Sequence, residues 1–256
     1  MDKLTVLKVG GAVTQNKLLL DKFLNNLTKI KGKKILVHGG GRELDVILKK
    51  NNHPIKMLNG RRITDKKTLD YALMVYAGKI NKEIVAKLQS LKLNSLGLCG
   101  ADANSVLCEI RSKEELDYGY VGDVVSINSG FFKLILENNI IPVCSSITYD
   151  KEGVLLNTNA DTIASEISSC MSRIYDTELW YCFEEKGVYQ DSMQKNLIDK
   201  LDMATYKSLK SKGIISKGMI PKVNNCFNGL KKGISKILIG SLNGIIENKT
   251  YTEIIP

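Results

Sequence analysis

The feature that most constrains this chain is a pair of apolar runs that each break off at glycines and hand over to a helical pattern. Leu4-Thr5-Val6-Leu7-Lys8-Val9 is followed by Gly10-Gly11, and Lys34-Ile35-Leu36-Val37 by His38-Gly39-Gly40-Gly41. Short runs of aliphatic residues without polar alternation read as strands covered on both faces. Leu18 to Ile30 has helical spacing, and a helix starting near Arg42 runs through Leu44, Ile47 and Leu48. Strand, glycine turn and helix in alternation predict an α/β chain built on a mainly parallel sheet.

The rest of the chain extends this pattern. Asn59-Gly60 signals a turn. Thr64 or Asp65 suits the N-cap of a long helix to about Leu91, with Leu69, Leu73, Tyr76, Ile80 and Ile84 on its apolar side. That side faces either the core or a partner subunit. Further strands are expected at Leu96–Leu98, Val106–Ile110, Tyr118–Ile127, Ile140–Cys144, Leu179–Phe183 and Lys236–Ile239, with those at 106 and 118 forming a hairpin. Helices are expected at Phe131–Leu136, Asn159–Cys170, Leu201–Leu209 and Met219–Leu230, and 184–200 reads as a loop or hairpin. A boundary near residue 172 separates an N-terminal lobe, 1–172, from a C-terminal lobe, 173–256.

Composition excludes several classes. The 256 residues, 43% hydrophobic and 25% charged, suit a large globular core, and no apolar run reaches the ~20 residues of a membrane helix. The six cysteines contain no CxxC pair, which points to buried reduced thiols. Met1-Asp2-Lys3 leads straight into a strand, so no targeting peptide and a cytoplasmic location are expected. The net charge of +10 is spread over lysines without an aromatic-interleaved basic stripe, which disfavours nucleic acid and suits steering of small polyanions. With two histidines, His38 and His53, triad or histidine–metal chemistry is poorly supplied.

Glycine turns at strand ends admit two readings: tight turns required by packing, or backbone N–H cradles for an anion. Lys8 beside Gly10-Gly11 favours the second. A further lysine, Lys222, stands just inside a helix opened by Gly218-Met219-Ile220-Pro221. Neither GxxxxGK[ST] nor GxGxxG is present. His38-Gly39-Gly40-Gly41 occurs in hydrolase oxyanion holes too, but their GxSxG elbow is missing. By themselves the residues leave Asp161 open between an ordinary helix N-terminal acid and a site residue, and Arg62 between a surface arginine and an anion ligand.

Together, Lys8-Val9-Gly10-Gly11, His38-Gly39-Gly40-Gly41, Asn59-Gly60-Arg61-Arg62-Ile63-Thr64, Asn157-Thr158-Asn159-Ala160-Asp161 and Gly218-Met219-Ile220-Pro221-Lys222 resemble the N-acetylglutamate kinases of the amino acid kinase family. The resemblance implies an αβα sandwich around an open, mainly parallel sheet. It implies ATP-dependent phosphorylation of the γ-carboxylate of N-acetyl-L-glutamate, the second step of arginine biosynthesis, with Mg2+ accompanying ATP. In that reading the N-terminal lobe binds acylglutamate and dimerises, and the C-terminal lobe binds ATP. Lys8, Asp161 and Lys222 form the catalytic group. Gly40, Gly41, Arg62 and Asn159 bind the acylated amino acid, and Gly10, Gly11, Glu184, Gly218 and Met219 serve ATP and its phosphates, with no protein ligand to metal.

The resemblance is imperfect in one place. The family's second-lobe strand ends in Thr/Ser-Asp, where this chain has Phe183-Glu184. The short N-terminus resembles homodimeric members that arginine does not inhibit. A larger acyl group, such as succinyl, remains an alternative, with Gly97–Asp102 and Ser145-Ser146 as candidate pocket walls, and so does a non-catalytic amino-acid sensor.

Overall fold

The computed structural model describes residues 1–58, 60–112, 116–191, 196–215 and 219–256. Its backbone is an eight-stranded sheet. Lys3–Val9 lies near the middle, parallel to Lys33–His38 on one side and to Asp176–Cys182 on the other. Ile141–Cys144 and Ser95–Leu98 continue the sheet in parallel beyond Lys33–His38. Lys236–Gly240 continues it beyond Asp176–Cys182, after which Thr252–Ile254 runs antiparallel and pairs with Lys200–Leu201. The two expected lobes are thus joined by one sheet, with the first strand hydrogen-bonded to a strand from each.

Alternation along each strand sorts the core into two layers. Leu4 and Val6 face one cluster with Leu179 and Tyr181, packed against the helices Ser129–Glu137, Ala160–Met171 and Met219–Lys231. Leu7 and Val9 face the other with Trp180 and Cys182, against Lys17–Leu27, Gly41–Lys50 and the long helical segment 66–90. These two helical layers make the sandwich. Lys8 shares the parity of Leu4 and Val6, so it points to the layer that contains helices 160–171 and 219–231.

The long helix begins where expected. The Asp65 carboxylate accepts from the Thr68 N–H at 2.7 Å. Leu69, Tyr76, Ile80 and Ile84 are buried, so its apolar side faces the core. The turns from Leu73 to Ile80 widen to π-helical geometry, an arrangement often found at functional sites. Gly40 explains the constraint on the neighbouring loop: a Cβ there would lie 2.5 Å from Tyr76 Cδ1 and 2.6 Å from Ile80 Cδ1. Only glycine lets the start of helix Gly41–Lys50 nest against that widened turn.

Some elements differ from the sequence reading. Val106–Ile110 and Val121–Ile127 do pair antiparallel, but with Ile147–Tyr149 and Leu155–Thr158 they close into a small separate barrel. Its closing pairs join residues distant in sequence, which local periodicity does not report. The short helix Leu242–Ile246 and the strand Thr252–Ile254 follow the last expected strand. All six cysteines are free thiols.

Candidate active site

The carboxyl ends of the central strands deliver their next residues to one cavity of about 780 Å³. Lys8 precedes the end of the first strand, Gly39-Gly40-Gly41 follows the second, and Phe183-Glu184 follows Asp176–Cys182. The first turns of Gly41–Lys50, Ala160–Met171 and Met219–Lys231 open into it as well. Helix N-termini carry unpaired N–H groups and a partial positive charge, so the cavity is prepared for anions before any lysine is counted.

At its centre Lys8, Asp161 and Lys222 meet. Lys8 Nζ lies 2.7 Å from Asp161 Oδ1. Lys222 Nζ donates to Oδ1 at 3.2 Å and to Oδ2 at 3.1 Å. The three side chains are only 13%, 16% and 13% exposed, in the order Lys8, Asp161, Lys222. Burial alone would push the Asp161 carboxyl up, but Lys222 and Lys8, through charge and hydrogen bonds, hold it well below the usual carboxylate range. Burial lowers the Lys8 ammonium from its ordinary value; Asp161 opposes this and Lys222 adds to it. Strand register explains the meeting, since Lys8 pairs with Tyr181 and both lie under helices 160–171 and 219–231.

Asn159 is the N-cap of the helix that begins at Ala160. Its Oδ1 accepts from the N–H of Asp161 at 2.8 Å and of Thr162 at 3.1 Å. That leaves its amide NH2 as the group it can offer the cavity. The cap also fixes Asp161 in the first helical turn, where the residues alone left it open between an ordinary helix acid and a site residue.

The far end of the cavity is built around Arg62. Its Nη2 donates to Asp45 Oδ1 at 2.7 Å and to the Gly41 carbonyl at 3.3 Å. Its Nη1 is buried with no hydrogen-bond partner. A buried guanidinium nitrogen without an acceptor is costly, and this one belongs to a side chain that lines the cavity. The Arg62 side chain is 8% exposed, so it is not a surface arginine. Asp45, one turn into the helix after the glycine loop, was not singled out from the sequence, and Tyr76 was read only as part of the long helix's apolar side; helical spacing from Gly41 is the one signal that could have found Asp45.

His38 holds the glycine loop from below. It is fully buried, its Nε2 accepts from Asn81 Nδ2 at 3.1 Å, and its Nδ1 lies 2.9 Å from the Gly39 carbonyl. Asn81 thereby sets the tautomer, with the proton on Nδ1. Burial depresses the ring to about 4, so it is neutral and structural at physiological pH.

The phosphate-side residues divide. Gly10 lines the cavity, but its N–H donates to the Cys182 carbonyl at 2.8 Å. The expectation that Gly10 offers its own N–H is therefore corrected; the free donors are those of Gly11 and Ala12, which open the following helical turn. Met219 and Glu184 line the cavity, and Glu184 lies 3.9 Å from Arg42 Nη2, both well exposed. Gly218 lies outside the described residues. Ser146 is at the cavity wall, whereas Gly97–Leu98 packs against the long helix and Asp102 caps the Cys99 N–H at 2.6 Å.

A model of the amino acid kinase family matches residues 3–241. The chain belongs to the amino acid kinase family. Among relatives of this amino acid kinase, the acetylglutamate kinase of Cytophaga hutchinsonii is 44% identical over 256 residues, covering 98% of this chain and 97% of its own. The acetylglutamate kinase of Bacteroides fragilis is 43% identical over 239 residues, covering 93% and 92%. In three dimensions this kinase resembles smu.665 from Streptococcus mutans UA159 with a TM-score of 0.81 at 28% identity, over 93% of this chain and 94% of that one. Cavity, glycine turns and paired lysines stand at the carboxyl edge of the sheet, where open α/β sheets bind ligands.

Proposed function

We propose that this kinase transfers the γ-phosphoryl group of ATP to the γ-carboxylate of N-acetyl-L-glutamate, giving N-acetyl-L-glutamyl 5-phosphate in arginine biosynthesis. The observation that carries the reading is the Lys8–Asp161–Lys222 group set in one cavity with an arginine whose Nη1 is buried and unpaired. Relatives more than 40% identical over nearly their whole length are acetylglutamate kinases, which supports the assignment.

In this reading Arg62 takes the substrate α-carboxylate, and the Asn159 amide and the loop at Gly40-Gly41 hold the rest of the amino acid. A planar guanidinium already fixed on one side by Asp45 presents its other side in a defined direction. The attacking γ-carboxylate is ionised at neutral pH, with an ordinary value near ~4.3, so no general base is needed. What remains is to align donor and acceptor and to stabilise charge as the phosphoryl group moves between them. Lys8 and Lys222 supply that charge. Asp161 keeps both ammonium groups together, against their repulsion, and aimed at the same place.

The N–H groups of Gly11, Ala12 and the turn at Gly41 add donors for phosphoryl oxygens, with Gly10, Gly218, Met219 and Glu184 around the nucleotide. Mg2+, bound with ATP, would supply neutralisation of phosphate charge, with no side chain of this chain assigned to hold it. Among the described residues no three His, Cys, Asp or Glu side chains are grouped as a ligand set. Residues 1–172 would then carry the acylglutamate and the dimer contact of a cytoplasmic homodimer, and 173–256 the nucleotide.

A coupled ADP-release assay on N-acetyl- and N-succinyl-L-glutamate tests the reading. Turnover of the acetyl substrate, lowered by about 10²-fold or more in Lys222→Ala with acylglutamate binding retained, supports it. Preference for the succinyl substrate would reassign the acyl group, and no turnover on any acylglutamate would favour an amino-acid sensor.

A further inference from the structure

The Lys222 ammonium is held on more than its carboxylate side. Asp161 also binds Lys8, so one small group anchors two long flexible side chains. Two oxygens can set how far Lys222 stands from Asp161, but they leave it free to swing about them. The strand before the cavity supplies the missing walls. Tyr181 faces helices 160–171 and 219–231, and Phe183, two residues on, shares that face. Lys222 Nζ lies 5.0 Å from the centre of the Tyr181 ring and 5.8 Å from that of Phe183, both within the ~6 Å at which a cation is drawn to an aromatic face.

Both rings are themselves anchored. Tyr181 is fully buried, and its hydroxyl donates to the Asp161 carbonyl at 3.1 Å. The Phe183 N–H donates to the Gly240 carbonyl at 3.1 Å, and its side chain packs on the core beside Gly10. A Cβ on Gly10 would stand 3.3 Å from Phe183 Cβ, so the first glycine turn makes room for this residue. Phe183 therefore ties the turn after Lys8 to the ammonium of Lys222.

We propose that Phe183 is a positioning residue that, with Tyr181, forms an aromatic cradle fixing the Lys222 ammonium at the transferring phosphoryl group. The proposal rests on the kinase reading. A ring face attracts the cation without supplying a hydrogen-bond acceptor. The N–H protons of Lys222 thus stay available to phosphoryl oxygens, which the short hydroxyl side chain of a serine or threonine at position 183 would compete for.

The test uses the full chain carrying Phe183→Leu or Phe183→Met, which keep bulk and lose the ring, and Phe183→Tyr, which keeps it. The expected result for the ring-free variants is a kcat lower by about 3- to 30-fold, with KM for the acylglutamate within about twofold of the parent. Phe183→Tyr should recover most of that loss. Parental kcat in the ring-free variants overturns the proposal, as does a loss confined to KM for ATP, which would assign the ring to the nucleotide. A second readout needs no turnover. In protein labelled at lysine Cε, the Lys222 resonance, assigned with Lys222→Met, should be shifted upfield by the rings, and Phe183→Leu should move it back while Phe183→Tyr does not. An unmoved resonance overturns the cradle whatever the enzyme's activity. An inactive parent whose resonance moves as expected would count against the kinase reading alone.

Discussion

The two ends of the cavity hold buried charge in opposite ways. At the Lys8–Asp161–Lys222 end each buried charge has its partner: two ammonium groups share one carboxylate at 2.7 to 3.2 Å. At the Arg62 end the guanidinium is half satisfied, with Nη2 on Asp45 and Nη1 buried without a partner. A cluster whose charges are all paired can wait in a fixed geometry, which suits charge stabilisation during transfer. A donor left unpaired in the free protein gains an acceptor when an anion arrives, which suits binding. On the proposed reading, the contrast would let one cavity separate the task of catalysis from that of recognition.

The comparison is broken most severely at Asp161. Asp161→Ala leaves two buried ammonium groups facing each other, and stability should fall by about 3–5 kcal/mol, read as a lower midpoint in chemical denaturation, with turnover lost. Retained stability would mean that the lysines do not depend on one carboxylate. The depressed Asp161 carboxyl adds a pH signature. Its contribution is complete above the ordinary carboxylate value, near ~4, and is lost only as pH falls from there toward its lower folded value. Lys222→Ala should come next, with kcat down by about 10²- to 10³-fold and acylglutamate affinity little changed by calorimetry.

His38 tests the loop between the two ends. Its folded value near 4 is below the ordinary 6.5. The unfolded chain therefore binds the extra proton first, and stability should decline as pH drops from 6.5 to about 4 and then level off. The window spans about 3–4 kcal/mol; His38→Gln should flatten that slope in pH-dependent unfolding. Arg62→Lys retains charge but not the fork, and should raise KM for acylglutamate by about 10- to 100-fold with a smaller change in kcat. A fall in kcat at unchanged KM would move Arg62 into the catalytic half of the comparison. Glu184→Gln should do least, under about threefold in KM for ATP, because its pairing with Arg42 is long and exposed.

Much of the site was legible before any coordinates. Lys8, Asp161, Lys222, Arg62 and Asn159 all line the cavity, and the glycine turns stand at its edge. The legible parts share a cause: residues at strand ends and in first helical turns are located by local periodicity. The illegible parts depend on contact across the fold. Asp45 matters because Arg62 comes from a different element, and Phe183 because Lys222 lies 39 positions later yet reaches its ring. Gly10 carried a phosphate-donor expectation, but its N–H is spent on Cys182.

By itself the sequence determined the α/β alternation, the glycine turns, a helix cap at Thr64 or Asp65, and the residue types able to handle an anion. These follow from backbone sterics and side-chain period, which act within a few residues. Only the tertiary structure decided that Asp161 lies between two lysines, that Arg62 keeps one nitrogen unpaired, and that four strands close into a separate barrel. Those outcomes depend on parallel strand register and on burial, which set charges from distant segments within hydrogen-bond reach and remove the water that would otherwise screen them.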